Sequence, residues 1–329
     1  MQTIEKSTAG GRSEPPADRP PAGQRGDRIF AGLTTGVSVA ILALLVVMML
    51  FLFGKAWPAL HKAGLAFFTE RQWFPDAPKP RFGVEALVWG TVVSSVLALL
   101  IAVPVAVASA LYVTEYARPV VGRWVGYLVD VLAAVPSVVY GLWGLYFLVP
   151  RMVGFQRWLG QHLGFIPIFH NPENLYGRSI LAASVVLALM VLPIVAAVSR
   201  EVFRQVPREM REAALALGAT RWETVRMSVL PQSRSGIIGA VILGLGRALG
   251  ETIAVALVLA VTFDVNIRIL RPGGNTVAAN IATKFGEAGV VGRSALIASG
   301  LVLFLITLLA TAGARSVVRR TGRAATGLA

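Results

Sequence analysis

Long apolar stretches alternate with short polar ones along most of this chain, and six of the apolar stretches are long enough to cross a membrane. A helical span needs about 20 residues to cross a hydrocarbon core of about 30 Å. The spans are expected at residues 29–53, 86–112, 124–149, 179–198, 236–261 and 294–314. The pattern therefore predicts an all-α polytopic membrane protein with six transmembrane helices.

The segments between the spans divide the chain further. Residues 1–28 have few apolar side chains, which predicts a disordered cytoplasmic tail. Residues 29–85 combine the first span with an external loop rich in Trp and Phe, where Pro75, Pro78 and Pro80 exclude a long helix. These aromatic residues are expected at the membrane surface, with docking of a soluble partner as the alternative. Residues 86–316 form the core domain, with a charged loop at 199–234, and residues 317–329 form a cytoplasmic tail.

The longest charged interval between spans, residues 207–231, predicts two short helices in succession. Gly218 stands where the first helix needs a residue with positive φ, and Thr220 with Glu223 predicts a capping box that opens the second. Leu230 and Pro231 are expected to end it. Apolar stripes follow both helices: Met210, Ala213, Ala214 and Leu217 on the first, and Trp222, Val225 and Val229 on the second. Such a helix pair is suited to docking on a cytoplasmic partner, although a solvated hairpin has the same pattern.

The fifth span contains a charged pair, Arg247 and Glu251. An arginine at the centre of a span costs about 2.5–3.5 kcal/mol on insertion scales, so its presence there requires a reason. Four residues apart, the two side chains lie on one face of a helix and can pair. Gly246 and Gly250 have the spacing that lets a neighbouring helix approach closely. On these grounds alone, the pair is either part of a substrate path or a structural ion pair between helices.

The third span adds polar side chains near Pro136, which disturbs a helix. Ser137 and Tyr140 supply hydroxyls for the same path, unless these hydroxyls are hydrogen-bonded within the helix bundle. Asp130 precedes Ser137 by about two helical turns. We expect Asp130 to pair with a residue of another helix rather than to contact substrate.

Composition and charge support a membrane protein. The chain is 55% hydrophobic and 15% charged, and it has no cysteine, which excludes disulfides, thiolate metal sites and cysteine catalysis. The three histidines have no metal-ligand spacing. The formal net charge is +14, and the segments predicted inside carry 18 of the Lys and Arg residues against 12 outside. This bias places both termini and the loop at 199–234 in the cytoplasm.

Two sets of residues resemble known families. The first set resembles the EAA loop of permease subunits in ATP-binding-cassette importers. It consists of Glu212-Ala213-Ala214, then Gly218, then Leu230-Pro231. The runs 133–144 and 246–252 resemble the phosphate-importer branch of that family, and the continuation of the second run resembles its C-type permeases, the PstC family. The run 281–288 points the same way, less strongly. Together these motifs lie within a resemblance that covers roughly residues 57–320.

The resemblance implies the type I importer permease fold, with Glu212, Ala213, Ala214, Gly218, Leu230 and Pro231 contacting an ATPase. It further implies a bacterial inner-membrane complex with a PstA-like second permease, two copies of a PstB-like ATPase and an external PstS-like phosphate-binding protein. The chain lacks the G-x-x-x-x-G-K-[ST] loop, so ATP is expected to be used by the partner, with no cofactor or metal bound here. A permease for sulfate or molybdate, and an ATP-independent transporter, are the alternatives.

Overall fold

The computed structural model describes residues 24–326, with side chains described up to residue 316. The predicted tail at 1–28 therefore lies almost wholly outside the described residues, as do the side chains of the predicted tail at 317–329. The helices of the described part are α1 (Gln24–Ala63), α2 (Ala66–Thr69), α3 (Glu85–Leu111), α4 (Pro119–Ala134), α5 (Ser137–Trp143), α6 (Val149–His162), α7 (Ile180–Arg204), α8 (Arg208–Ala216), α9 (Arg221–Thr224), α10 (Leu230–Leu249), α11 (Ile253–Val258), α12 (Val277–Lys284) and α13 (Val290–Thr326). Two short antiparallel strands, β1 (Trp73–Phe74) and β2 (Arg81–Phe82), form a hairpin.

Six apolar helical runs within these residues are long enough to cross a membrane, which confirms the predicted number. They are Arg28–Ala63, Glu85–Tyr116, Ser137–His162, Ile180–Arg204, Arg221–Leu249 and Val290–Ser316. The described residues up to Phe51 form a separate unit, in which the side chains from residue 28 to residue 50 are exposed. The rest of the chain, from Leu52, is a second compact unit and contains every site described below.

The third span is interrupted, contrary to the single helix expected at 124–149. Helix α4 ends at Ala134, and α5 begins at Ser137 after two extended residues, Val135 and Pro136. The residue before a proline is pushed out of the helical region because the proline ring clashes with it, so Val135 is extended. The run that starts at Ser137 then continues through a π-helical segment, Gly144–Leu148, into α6 as far as His162.

The fifth span is also interrupted, so the expected single helix at 236–261 is wrong. Helix α10 ends at Leu249, and the separate six-residue helix α11 begins at Ile253. Pro231 does not end the second short helix either, because the chain is helical from Arg221 to Leu249. A π-helical segment, Val225–Val229, precedes Pro231, and this wider turn accommodates a residue that has no N–H to donate.

The core of the second unit is built around α7, which packs against α3 and α10. On α3 a stripe of alanines at four-residue spacing, Ala98, Ala102 and Ala106, is fully buried. Small side chains at this spacing let two helices approach closely. On α10, Gly244 lies directly against Val191 and Val195 of α7.

Three of the six aromatic residues after the first span belong to a second core. Phe67, Trp73 and Phe82 are buried, and Trp73 stacks on Phe263 with ring centroids 6.4 Å apart. Trp57, Phe68 and Phe74 remain exposed. The three buried residues therefore lie at neither of the two expected surfaces, whereas membrane-surface placement and docking both stay predictions for the three exposed residues. Just before β1, the backbone N–H groups of residues 71 and 72 donate to Glu70, which holds the pKa of that carboxyl below its ordinary value.

Asp76, in the hairpin, caps the last span from a distance in sequence. Its carboxylate oxygens accept the backbone N–H groups of Gly289 and Gly292, each at 2.9 Å, at the start of α13. The first N–H groups of a helix have no partner within the helix, and a carboxylate there is further favoured by the helix dipole.

We therefore expect Asp76→Ala to lower the free energy of unfolding by about 0.5–2 kcal/mol, the usual effect of losing a helix cap. Thermal unfolding of the detergent-solubilised chain measures this. Asp264→Ala, which removes an exposed carboxylate, is the control. Equal stability of the two variants would contradict a capping role for Asp76.

Candidate functional site

The two interrupted spans meet where each is broken. Helix α5 packs against α11, and the contact is so close that a Cβ added at Gly141 would lie 2.8 Å from the Cα of Ala254. This contact brings the residues around the break at 135–136 and those around the break at 250–252 into one region. Irregular backbone within a membrane is tolerated where it lines a cavity or is buried in protein, and transporters place substrate sites at such breaks.

Arg247 and Glu251 form the predicted pair at this break. The Nη2 atom of Arg247 lies 3.5 Å from Oε2 of Glu251. The two side chains differ in exposure, since 43% of the Arg247 side chain is exposed against 3% for Glu251. The pairing is confirmed, but α10 ends before Glu251, so the two residues do not share one continuous helix.

Glu251 also organises the start of α11. Its Oε1 atom accepts the backbone N–H of Ala254 at 3.2 Å, so one carboxylate oxygen caps α11 and the other faces Arg247. A buried carboxylate requires such partners because its desolvation is otherwise costly. The Arg247 guanidinium therefore remains partly exposed beside the break, and Glu251 balances only part of its charge.

Ser137 and Tyr140 lie on α5, the helix that packs against α11. Both are half-buried, and Ser137 is the first residue of α5. The Tyr140 hydroxyl donates to the carbonyl of Leu132 at 3.0 Å, across the break in the third span. Tyr140 thus stabilises the interrupted backbone, which is the alternative role that the sequence left open, and a part in the substrate path stays a prediction for both residues.

The spacing of Gly246 and Gly250 does not bring another helix of the described chain close. A Cβ at Gly246 would meet nothing within 4 Å, and one at Gly250 would approach only the carbonyl of Gly246. Close packing of α10 occurs instead at Gly244. A glycine pattern alone does not indicate which face of a helix is packed.

We expect Gly141→Ala to reduce transport by about tenfold or more, because the added methyl group must push α11 away from α5 and overpacking costs about 1–3 kcal/mol. Substrate uptake by the reconstituted complex measures the effect. Gly239→Ala is the matched control, since a Cβ at Gly239 meets nothing within 4 Å. A normal rate in Gly141→Ala would show that the α5–α11 contact has no role in transport.

Arg178, which the sequence did not single out, fixes the other end of α11. Its guanidinium donates to the carbonyls of Leu257, Val258 and Leu259 at 2.9, 3.2 and 2.7 Å. The last carbonyls of a helix lack partners within it, and a cation there also interacts favourably with the dipole. Helix α11 is therefore held by Glu251 at its start and by Arg178 at its end. No local pattern indicates a pairing between residues about 80 positions apart.

The predicted helix pair forms the second part of the site. Helix α8 ends before Gly218, whose φ of 84° is in the left-handed region as expected. Thr220 and Glu223 form the predicted capping box at the start of α9. An apolar groove runs between the helices. The groove is lined by Met210, Ala213, Ala214, Leu217, Gly218, Ala219, Glu223, Met227 and Ser228.

The residues predicted to contact an ATPase differ in exposure along this segment. Glu212 and Ala213 are exposed on α8, and Ala214 is buried. Leu217 is 89% exposed and Met227 is 59% exposed at the groove. Leu230 packs into a small core with Phe203 of α7, whereas Pro231 is exposed. Trp222 is 55% exposed, so it does not join the buried stripe of Val225 and Val229.

Asp130 pairs with another helix, as expected. Its Oδ1 atom lies 3.0 Å from Nη2 of Arg200 on α7, and the Arg200 guanidinium lies against Gly126 of α4. Among the described residues, no group of three or more His, Asp or Glu side chains is placed to hold a metal ion.

Interrupted apolar spans around a partly open charged pair, with an exposed helix pair between two spans, define a membrane transport subunit. The model of the family described as "Binding-protein-dependent transport system inner membrane component" matches residues 102–323. A phosphate transport system permease protein, PstC 2 of Mycobacterium tuberculosis, is 42% identical over 298 residues, which cover 89% of this chain and 92% of that one. PstC of Xylella fastidiosa is 40% identical over 324 residues, 97% of this chain and 96% of that one.

The chain belongs to the binding-protein-dependent inner-membrane transport component family and, within it, to the PstC family of permease proteins. A solved bacterial ABC transporter involved in the import of the acidic polysaccharide alginate has a TM-score of 0.52 with this chain at 17% identity, covering 89% of this chain and 99% of that one. This likeness concerns the fold alone, and it agrees with the predicted type I importer permease fold. The chain is therefore a multi-pass membrane subunit of a transport system.

Proposed function

We propose that this chain is the transmembrane permease subunit of an ATP-driven phosphate importer, in which it forms half of the translocation path. The observation that carries this proposal is the Arg247 guanidinium, 43% exposed and held beside the buried Glu251 carboxylate where the fifth span is interrupted. A guanidinium stays protonated and offers a planar set of donors that suits phosphate oxygens. The names of the curated relatives, phosphate transport system permease proteins, support the same substrate.

The Glu251 carboxylate gives a means of selecting phosphate. At neutral pH phosphate is a mixture of monoanion and dianion, each of which still carries at least one proton on oxygen, whereas sulfate is fully ionised. A carboxylate can accept a hydrogen bond from a protonated oxygen, and it repels an oxyanion that has no proton to donate. When the path is empty, Glu251 instead balances part of the charge of Arg247.

The energy source in this proposal is a separate ATPase that docks in the apolar groove of α8 and α9. Exposed apolar side chains at the end of a short amphipathic helix, Leu217 above all, support a docking role. The Lys and Arg distribution supports a cytoplasmic position for this loop and for both termini. The complex would further contain a PstA-like second permease, two PstB-like ATPase copies and an external PstS-like protein, with ATP used by the ATPase and no cofactor bound by this chain.

Uptake of labelled phosphate by proteoliposomes that hold the assembled complex tests the proposal. We expect uptake that requires internal ATP and the external binding protein and that is blocked by vanadate. A tenfold excess of sulfate or molybdate should not reduce it, because a site that pairs with a substrate hydroxyl rejects an analogue without that group by far more than tenfold. Competition by sulfate or molybdate at equal concentration would instead favour a permease for another oxyanion.

A further inference from the structure

We propose that Arg211 and Glu115 form the joint through which α8 moves the membrane spans. The inference rests on the proposed function, because it assumes that an ATPase acts on α8. Arg211 lies in the middle of α8, and Glu115 lies in the π-helical segment Tyr112–Tyr116 that continues α3. Their Nη2 and Oε1 atoms are 2.9 Å apart, and the two residues are 96 positions apart in the sequence.

Arg211 binds a second span as well. Its Nη2 donates to the carbonyl of Phe203 at 2.7 Å, and its Nη1 donates to the carbonyl of Val206 at 2.6 Å. These carbonyls belong to the end of α7 and the residues just beyond it, where the backbone lacks partners within the helix. One guanidinium thus connects α8 both to the end of α3 and to the end of α7.

Both partners of this ion pair are largely buried, unlike those of the nearby pair Arg204–Glu201. The side chains of Arg211 and Glu115 are 20% and 12% exposed. The pair Arg204–Glu201 is more than half exposed on both sides, with 4.0 Å between the charged atoms. Exposed pairs contribute little because water screens them, whereas a partly buried charge-assisted bond is stronger and leaves an unpaired charge when one partner is removed.

An apolar contact lies beside the pair. A small buried core joins the ends of α7 and α3 to the segment after α9. It consists of Phe203, Val206, Ala110 and Val229. A displacement of α8 is therefore expected to move the packed ends of α7 and α3, rather than only a flexible loop. From α7 the packing continues through Val191 and Val195 to Gly244, one turn before Arg247.

A continuous set of contacts does not by itself demonstrate coupling, so the test measures coupling directly. The assembled complex is prepared with Arg211→Gln, with Glu115→Gln, and with Arg208→Gln as the matched control. Arg208 lies on the same helix and is exposed. Three quantities are compared with the unaltered complex: the amount of ATPase that co-purifies, the rate of ATP hydrolysis, and the phosphate taken up per ATP hydrolysed.

We expect both variants to retain the ATPase and to hydrolyse ATP. Phosphate per ATP should fall about tenfold in Glu115→Gln, the effect of one lost charge-assisted hydrogen bond, and at least as far in Arg211→Gln, which also loses the bonds to the two carbonyls. The control should keep the normal ratio. A merely structural role would lower uptake and hydrolysis together and leave their ratio unchanged.

An unchanged ratio in either assembled variant would overturn the inference. If Arg211→Gln does not assemble, Glu115→Gln decides, because it leaves the bonds from Arg211 to the two carbonyls in place. Loss of the ATPase from Glu115→Gln as well would also overturn it, since the pair would then serve assembly. A lack of ATP-driven phosphate uptake in the unaltered complex would instead contradict the proposed function.

Discussion

Arg247→Ala should reduce ATP-driven phosphate uptake by the assembled complex by at least about 100-fold. The proposal has the guanidinium donate two charge-assisted hydrogen bonds to phosphate, each of about 1.5–3 kcal/mol, and both are lost. The substitution also leaves the Glu251 carboxylate, 3% exposed, without its cation. A buried carboxylate that is left unpaired repels an anion in the path, so the second effect acts in the same direction as the first. Initial rates of labelled phosphate uptake measure the loss.

Two further variants make this experiment specific. Arg247→Lys keeps the charge but not the planar set of donors, so its uptake should lie between those of the unaltered complex and Arg247→Ala. Arg204→Ala removes an arginine from an exposed pair, and its uptake should stay normal. Co-purification of the ATPase shows that each complex has assembled. Normal uptake by assembled Arg247→Ala would contradict a role for Arg247 in the path.

Leu217→Asp combined with Met227→Asp should strongly reduce co-purification of the ATPase while leaving the fold of this chain intact. Burying a leucine at an interface contributes about 1.5–3 kcal/mol, and a carboxylate placed there adds a desolvation cost. Both residues are exposed, so they contribute little to folding. We therefore expect at least about a tenfold fall in bound ATPase with an unchanged thermal unfolding temperature.

Leu65→Asp is the matched control for the docking experiment. Leu65 is 86% exposed, much like Leu217, but it lies in the segment that we expect outside the cell. This control should bind the ATPase normally. If the Leu217 and Met227 variant retains the ATPase at the normal level, the apolar groove is not the docking site.

The features that were predicted correctly from the sequence are those with local causes. Gly218 adopts a positive φ because a helix ends there, and the Thr220–Glu223 capping box requires residues only three apart. The number of spans likewise follows from lengths of apolar sequence. The pair of Arg247 and Glu251 was predictable because its members are four residues apart.

The interruption of the third span could not be located from hydropathy, because the apolar character continues across it. Pro136 suggests a disturbed helix, but it does not show that α4 and α5 are separate.

In the fifth span the polar residues Arg247, Glu251 and Thr252 lie at the break, but their spacing is equally compatible with one continuous helix. Gly250 directly follows the last residue of α10, but glycine also occurs within this helix, for example at Gly244, so it does not mark the end by itself.

The contacts missed by sequence reasoning join residues far apart in the chain. Arg178 reaches carbonyls about 80 positions away, and Arg211 reaches Glu115 across 96 positions. A single sequence shows no relation between such residues. The burial of Trp73 was missed for a similar reason, because Phe263, on which it stacks, is about 190 positions away.

The central claim is that an anion passes the Arg247–Glu251 pair only when a separate ATPase drives the spans. Phosphate uptake by proteoliposomes with and without the ATPase subunits, at equal amounts of this chain, tests the claim most directly. We predict uptake in the complete complex with internal ATP, and none above the background of protein-free liposomes when the ATPase is left out. Sustained accumulation of phosphate without the ATPase would contradict the account.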